Sequence, residues 1–227
     1  MQGLHGHGKT VRFKLGEADL EGELTVPAGA RGVVIFAHGS GSSRRSPRNR
    51  AVAAALNGAG FATLLFDLLT ESEEARDMIT GELRFDIPLL AERMVGTTEW
   101  VMEQAEVKGL PVGYFGASTG AAAALVAAAE RGDIAAVVSR GGRPDLAAED
   151  LPRVKAATLL IVGSLDTHVI ELNRAAQAQL EATNELRIIP GASHLFEEPG
   201  ALEQVAGAAA EWFGRYLEGR EEERKAA

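Results

Sequence analysis

One serine of this chain lies between two glycines at the spacing Gly-x-Ser-x-Gly, in the segment Gly116-Ala117-Ser118-Thr119-Gly120. The segment follows an apolar run, Val112–Phe115, that predicts a buried strand, and it precedes an alanine-rich run that predicts a helix. A sharp turn between a strand and a helix exposes the hydroxyl of its serine, and the flanking glycines let strand and helix approach closely. The pattern predicts that Ser118 is a nucleophile, although an ordinary tight turn would also account for it.

A serine hydroxyl attacks only when a base removes its proton, so this hypothesis requires a histidine near Ser118. The chain has five histidines. Two lie in a glycine-rich leader, and His38 precedes the serine. Of the two that follow, His168 and His194, the second comes directly after the last predicted strand, in a loop expected at the same sheet edge as Ser118. We therefore predict that His194 is the base, and a surface histidine without a role is the alternative.

The histidine in turn needs a carboxylate that orients its ring and stabilises its charged form. Asp166 follows an apolar predicted strand and lies between the serine and the histidine in the chain. Asp67 follows another predicted strand and is a second candidate, while a solvated or helix-capping aspartate is the alternative for either. We predict Asp166 as the third member and leave Asp67 open.

Acyl transfer also needs two N–H donors for the oxyanion that forms on the substrate. The turn at the serine supplies the backbone N–H of Thr119. The second donor is expected in the glycine-containing segment that follows the third predicted strand, His38-Gly39-Ser40-Gly41-Ser42, and there we predict Ser40. Without the serine motif, this segment would be interpreted as a flexible loop.

The elements that must position these residues alternate along the chain. From about residue 32 onward, short apolar runs alternate with longer runs of helical spacing, which predicts a mainly parallel sheet with helices on both faces. The first two strands, Val11–Leu15 and Leu20–Pro27, are joined by a short turn and predict an antiparallel hairpin. The six further predicted strands are Val33–Ala37, Ala62–Phe66, Val112–Phe115, Ala136–Ser139, Leu159–Val162 and Leu186–Ile189. The predicted helices are Arg50–Ala59, Pro88–Glu106, Thr119–Glu130, Ile170–Glu181 and Ala201–Leu217. The expected fold class is thus α/β, with an eight-stranded sheet.

The composition limits the chemistry and the partners. The chain has 227 residues and no cysteine, which excludes disulfides, iron–sulfur clusters and a thiol nucleophile. Its length favours a single domain, 1–227, with flexible ends over 1–9 and 219–227. The net charge of −9 argues against a nucleic-acid partner, and no apolar run is long enough for membrane insertion. The N-terminal residues lack the apolar segment of a secretory signal, so we expect a cytoplasmic protein.

These motifs together resemble those of one known superfamily. The strand followed by His38-Gly39-Ser40-Gly41, the segment Gly116–Gly120, Asp166 and His194 resemble the α/β-hydrolase superfamily over nearly the whole chain. Two further runs, Ser139–Leu146 and Pro190–Pro199, resemble its dienelactone-hydrolase-like branch.

The resemblance implies a Ser118–His194–Asp166 triad, an oxyanion hole from Ser40 and Thr119, hydrolysis of esters or lactones, and no cofactor or metal. Dienelactone hydrolases proper carry a cysteine at the position of Ser118. The serine therefore points to the carboxylesterase-like relatives, and we expect a serine hydrolase that cleaves carboxylic esters.

The surroundings of the site predict a small substrate. The stretch from Gly141 to Leu159 is filled by a turn and a short helix, so little or no cap is expected and the substrate is expected to carry a small or short-chain acyl group. The acidic, weakly patterned segment Thr70–Phe85 is the other loop long enough to cover the pocket. The residues expected to border the substrate are Gly39, Arg140, Arg143 and Phe196.

Two groups of arginines allow different interpretations. Arg140 and Arg143 could bind a carboxylate of the substrate through bidentate hydrogen bonds, or could pair with neighbouring acids. Four more cations lie near a helix start, where the helix dipole disfavours positive charge; they could mark an anionic group or be paired with acids. These are Arg44, Arg45, Arg48 and Arg50.

Other functions stay open at this point. A thioesterase or a small peptidase would use the same triad with a different leaving group. A catalytically silent fold that only binds ligands is a different class, because a fold does not guarantee turnover. The expected partner is a small-molecule ester, and the sequence predicts no oligomeric state.

Overall fold

The computed structural model describes the backbone of residues 8–226 and the side chains of residues 8–217. Eight strands form one sheet. They are β1 (Lys9–Leu15), β2 (Ala18–Thr25), β3 (Val33–Ala37), β4 (Ala62–Phe66), β5 (Val112–Ala117), β6 (Ala136–Arg140), β7 (Ala157–Gly163) and β8 (Asn184–Ile189). Their order in the sheet is β1-β2-β4-β3-β5-β6-β7-β8.

The sheet combines an antiparallel start with a parallel remainder. Strands β1 and β2 form a hairpin, and β2 also pairs antiparallel with β4. The other neighbours, from β4 through β8, are all parallel. The predicted fold class, a mostly parallel eight-stranded sheet with an antiparallel N-terminal hairpin, is confirmed.

Helices cover both faces of this sheet. They are α1 (Pro47–Gly58), α2 (Glu71–Thr80), α3 (Ile87–Met102), α4 (Thr119–Arg131), α5 (Thr167–Gln177) and α6 (Ala201–Ala226). The apolar residues of α3, α4 and α5 pack on one face, and those of α1 and α6 pack on the other. None of the helices in the described part of the chain has the length and apolar character needed to cross a bilayer.

The segment Thr70–Phe85, expected to be a loop, instead contains helix α2 and a 3₁₀ turn. The Thr70 hydroxyl accepts a hydrogen bond from the backbone N–H of Glu73, whose carboxylate accepts one from the Thr70 N–H. Gly81 ends the helix with φ of 69°. These capping interactions define the two ends of helix α2. The helix is mostly exposed and has little apolar periodicity, so the hydrophobic pattern of the sequence did not predict it.

The start of α1 also differs from the prediction, because the helix begins at Pro47 and not at Arg50. Ser46 caps it, since its hydroxyl accepts from the backbone N–H of Asn49, and proline suits the first helical position. Strand β2 ends at Thr25 and does not extend to Pro27.

The connection between β6 and β7 bears on access to the sheet edge. It contains only two short 3₁₀ helices, Pro144–Ala147 and Leu151–Arg153, so no cap is inserted there. The predicted flexible ends fall partly outside the described residues, which begin at residue 8 and end at residue 226. Within the described part, Lys9 opens β1 and residues 219–226 continue the backbone of α6.

Candidate active site

Ser118 occupies a strained turn between β5 and α4. Its backbone has φ of 51° and ψ of −120°, a conformation that costs a residue with a side chain of the order of 1–3 kcal/mol. The flanking glycines are required by close contacts. A Cβ on Gly120 would lie 2.4 Å from the carbonyl oxygens of Ala37 and His38, and one on Gly116 would lie 2.4 Å from the Cα of a helix residue. The spacing Gly-x-Ser-x-Gly therefore reflects packing that only glycine permits, and it presents the serine at the carboxyl edge of the sheet.

His194 and Asp166 are joined by a short hydrogen bond at the same edge. The His194 Nδ1 and Asp166 Oδ2 atoms lie 2.6 Å apart. Asp166 stands at the N-terminus of α5 but makes no capping hydrogen bond there, which leaves its carboxylate to the histidine. Because a carboxylate can only accept, Nδ1 carries the proton and Nε2 is the nitrogen that can take one up.

The other candidate carboxylate, Asp67, is engaged elsewhere. It accepts a hydrogen bond of 2.7 Å from the backbone N–H of Arg44 and forms an ion pair with the Arg44 guanidinium. The structure thus brings Asp166 to the histidine and holds Asp67 in a separate ion pair. His168, the other histidine that follows the serine, is exposed.

The backbone after β6 connects the serine with the histidine. The Ser118 N–H donates to the Arg140 carbonyl at 3.2 Å. A Cβ on the next residue, Gly141, would lie 3.5 Å from both Nδ1 and Cε1 of the His194 ring. Among the described residues no hydrogen bond joins the Ser118 hydroxyl to the histidine, and such bonds are often long before substrate binds.

The loop after β3 packs directly against the serine, but its predicted donor is already bonded. A Cβ on Gly39 would lie 3.1 Å from the Ser118 Cβ, so this backbone borders the site as expected. The backbone N–H of Ser40, however, donates to the Thr119 Oγ1 at 2.9 Å. Thr119, the first residue of α4, has a backbone N–H without an intrahelical acceptor. The Thr119 N–H thus has no acceptor within the helix, whereas the Ser40 N–H is bonded to the Thr119 side chain.

Replacing Thr119 by valine tests what that side chain does. Valine keeps the branched shape and removes the hydroxyl that fixes the Ser40 loop to α4. Since a neutral hydrogen bond contributes roughly 1 kcal/mol, we expect kcat/KM for p-nitrophenyl butyrate to fall about three- to tenfold. Thr119→Ser retains the hydroxyl and should stay near the wild-type value. A faster Thr119→Val enzyme would show instead that the hydroxyl competes with the substrate for the Ser40 N–H.

His38 is a buried support of the same loop. Its Nδ1 lies 3.0 Å from the Gly39 carbonyl oxygen, and its Nε2 accepts from the backbone N–H of Leu68 at 3.1 Å. The ring therefore carries its proton on Nδ1 and is neutral, and burial lowers its pKa below the usual value. It connects the loop after β3, residues 38–42, here called the oxyanion loop, with the loop that follows β4.

This neutral ring predicts a pH dependence of stability. The folded pKa of His38 lies below the unfolded value of about 6.5, so the unfolded chain binds the proton first. We expect the free energy of unfolding to fall as pH drops from 6.5 toward the folded pKa, with a slope of up to about 1.4 kcal/mol per pH unit. Urea denaturation between pH 5 and 8 measures this contribution. His38→Gln should be less stable at pH 8 and lose that contribution to the slope, whereas exposed His168→Gln should keep it. An unchanged slope in His38→Gln would contradict the assignment.

A cleft of about 260 Å³, open to solvent, lies beside the oxyanion loop. Helix α2 and the following turn form one wall, as the position of the segment Thr70–Phe85 suggested. The residues lining the cleft are His38, Gly39, Ser40, Gly41, Leu68, Leu69, Glu74, Asp77, Arg84, Leu90 and Thr119. Sequence reasoning missed Leu68 and Leu69, although their position directly after β4 places them at the carboxyl edge.

Two of the residues predicted to border the substrate have other roles. Phe196 is 2% exposed and packs in the apolar core between the sheet and helices α1 and α6, with φ of 55°. Arg143 forms two hydrogen bonds with Asp145, at 2.9 and 2.7 Å, and this partner raises its pKa. That these two residues border the substrate stays a prediction.

The arginines near the start of α1 are largely paired with acids, the second of the two interpretations. Arg44 binds Asp67 and Glu21, Arg48 binds Glu197, and Arg50 binds Glu23. Three of the four cations therefore have a carboxylate partner. Arg140, at the end of β6, is buried.

Comparison with known proteins identifies the family of the chain. The sequence profile of the Dienelactone hydrolase family matches residues 20–219. The chain is 58% identical over 208 residues to two Mycobacterium tuberculosis proteins, each named "Putative phosphoribosyl transferase". The match covers 91% of this chain but 46% of those proteins, so the chain spans about half of their length.

Solved structures show the same fold. A dienelactone hydrolase from Anabaena variabilis is 59% identical, with a TM-score of 0.92, and the match covers 94% of this chain and 99% of that one. Est1E from Butyrivibrio proteoclasticus is 17% identical, with a TM-score of 0.76, over 91% and 98% of the two chains. The family match and the high identity agree, and the chain thus belongs to the dienelactone hydrolase family.

Proposed function

We propose that this chain is a serine carboxylesterase that cleaves small or short-chain acyl esters. The observation that carries the proposal is the 2.6 Å contact between His194 Nδ1 and Asp166 Oδ2 at the sheet edge that presents Ser118 in its strained turn. A nucleophile, a base and a carboxylate that orients the base are the parts that acyl transfer needs.

The reaction proceeds through an acyl-enzyme. His194 Nε2 removes the proton of the Ser118 hydroxyl as the serine oxygen attacks the ester carbonyl. The Thr119 N–H stabilises the oxyanion, while the Ser40 N–H keeps its hydrogen bond to the Thr119 hydroxyl and so holds the loop after β3 against α4. Protonated His194 then gives its proton to the leaving alcohol. Water, activated by the same histidine, attacks the acyl-enzyme, and the acid leaves as Ser118 regains its proton.

The cleft supports a small acyl group. The cleft is open to solvent and encloses little space of its own. Leu68, Leu69 and Leu90 supply an apolar lining for an acyl chain, and the connection after β6 adds no cap. An alkyl group of a few carbons would fill this space, while a long chain would extend into solvent.

A panel of p-nitrophenyl esters with increasing acyl length tests the proposal. We expect the highest kcat/KM for acetate and butyrate and a fall of at least tenfold at octanoate. A fluorophosphonate probe should label one serine per chain, identified by peptide mapping as Ser118. A folded protein that is neither labelled nor active on any ester of the panel would reject the esterase proposal. A butyryl thioester cleaved much faster than the oxygen ester would favour a thioesterase.

A further inference from the structure

The cleft beside the oxyanion loop contains one carboxylate that has no partner in the described protein. Glu74, in the first half of α2, lines this cleft together with Gly39 and Ser40 of the oxyanion loop. The residue is half-buried, and within residues 8–217 no hydrogen bond or ion pair involves its carboxylate. A partly buried charge costs free energy unless it is paired, so this carboxylate is available to a ligand that enters the cleft.

The other charged side chains that line the cleft neutralise each other. Asp77 accepts hydrogen bonds from the backbone N–H groups of Leu83 and Arg84, at 2.8 and 3.0 Å. It also forms an ion pair of 2.7 Å with the Arg84 Nε. The ring of His38 is neutral, because burial lowers its pKa. Glu74 therefore gives the cleft a net negative charge.

This charge acts inside the cleft and close to the nucleophile. Burial lowers the pKa of His38, whose ring lines the same cleft, and the negative charges of Asp67 and Glu74 oppose that effect. Gly39 also borders the cleft, and a Cβ on it would lie 3.1 Å from the Ser118 Cβ. The cleft thus connects the Glu74 carboxylate with the backbone beside the serine.

Polar contacts on both sides of Glu74 fix its position. The preceding residue, Glu73, accepts from the Thr70 N–H and forms an ion pair of 2.8 Å with Arg93 of α3. Three residues after Glu74, Asp77 connects the helix to the turn that follows it. Because these contacts hold the helix in place, little ordering of the helix is needed when a ligand binds, and more of the interaction contributes to affinity.

We propose that Glu74 selects substrates whose acyl group carries a positive charge, such as an ammonium group. The inference rests on the proposed esterase function, because it specifies the acyl group that enters the cleft. The side chains of Leu68, Leu69 and Leu90 contact the methylene chain of such a group, and the Glu74 carboxylate contacts its cationic end. The net charge of −9 also favours the approach of a cation over that of an anion.

Three p-nitrophenyl esters of similar shape test this charge preference. The γ-trimethylammonio-butyrate is cationic, the γ-tert-butyl-butyrate is its neutral counterpart, and the γ-sulfobutyrate is anionic. Exposed ion pairs are weak and half-buried pairs are less screened, so we expect Glu74→Gln to lower the ratio of kcat/KM for the cationic over the neutral ester about fivefold at low ionic strength. The ratio for the anionic over the neutral ester should rise in the same variant, because a repulsive charge is removed.

Glu71→Gln is the matched control. It removes the same charge from the same helix, at an exposed position that does not line the cleft. Both ratios should stay at their wild-type values in this variant. Glu74→Lys places a cation on the wall of the cleft, and it should make the anionic ester the better of the two charged substrates.

Binding measured without turnover separates this inference from the esterase function. The primary amides of the same cationic and neutral acids lack the ester, and the methyl NMR signals of Leu68, Leu69 and Leu90 report their dissociation constants. We expect Glu74→Gln to lower the affinity for the cationic amide, relative to the neutral amide, about fivefold. A wild-type protein that hydrolyses none of the three esters but shows this change in binding would contradict the esterase function and support the role of Glu74.

Two results would overturn the inference. One is a cationic-to-neutral ratio that Glu74→Gln leaves unchanged for the esters and the amides alike, as expected if Arg84 turns from Asp77 onto Glu74 in solution. The other is a change of equal size in Glu71→Gln, which would assign the preference to the overall charge of the protein and not to the cleft.

Discussion

Ser118→Ala is expected to lower kcat/KM for p-nitrophenyl butyrate by a factor of about 10⁵ or more, to the level that binding and the oxyanion donors alone provide. Alanine cannot form the acyl-enzyme, and it leaves the glycine contacts around the turn unchanged. Steady-state kinetics measure the loss, and the fluorophosphonate label should disappear with it. Ser72→Ala, which removes an exposed hydroxyl of α2, should retain full activity and labelling.

Stability provides a second readout for the same position. Ser118 holds φ of 51°, which glycine adopts without strain. Glycine elsewhere costs roughly 0.5–1 kcal/mol relative to alanine, but here relief of strain of the order of 1–3 kcal/mol opposes that cost. We therefore expect inactive Ser118→Gly to be at least as stable in urea as Ser118→Ala. A markedly less stable glycine variant, or substantial activity in the alanine variant, would contradict the role given to this turn.

Much of the fold was predictable because each buried strand is a short apolar run bounded by turn residues. The eight strands and five of the six helices follow from that periodicity. Helix α2 was not predicted because few of its residues face a core. A capping box and a terminal glycine define this helix instead. Such local hydrogen bonds are visible in sequence only as Thr70 followed three residues later by glutamate.

For the candidate site, too, the sequence predicts some features and not others. The placement of Ser118, Asp166 and His194 at one edge of the sheet could be predicted because parallel strands bring their carboxyl ends to the same edge. Side-chain partners do not follow from position. The bond from Ser40 to Thr119 and the burial of Phe196 depend on rotamers. Arg140 and Arg143 have similar sequence contexts but differ in their partners. Arg143 pairs with Asp145, two residues away, whereas Arg140 has no aspartate at that spacing and its Nη1 makes no hydrogen bond.

Asp166→Asn is the second change with a large expected effect. Asparagine keeps the size of the side chain but can present its amide N–H to His194, which favours the tautomer with the proton on Nε2. That tautomer cannot accept the serine proton, and the positive charge formed on the ring loses its carboxylate partner. By analogy with the equivalent change in other serine hydrolases, we expect kcat to fall by about 10⁴.

Asp67→Asn is the matched control, because it makes the same chemical change at the other aspartate that follows a strand. Asp67 binds the backbone N–H and the guanidinium of Arg44, which is largely buried. Asparagine there weakens a charge-assisted interaction, and we expect a loss of about 1–3 kcal/mol in the free energy of unfolding. Its kcat should stay within about tenfold of the wild type, because no contact joins Asp67 to His194. The reverse pattern, with Asp67→Asn inactive and Asp166→Asn active, would assign the orienting carboxylate to Asp67. It would also require the loop after β4 to move away from Arg44 when substrate binds, since the ion pair seen here leaves that carboxylate engaged.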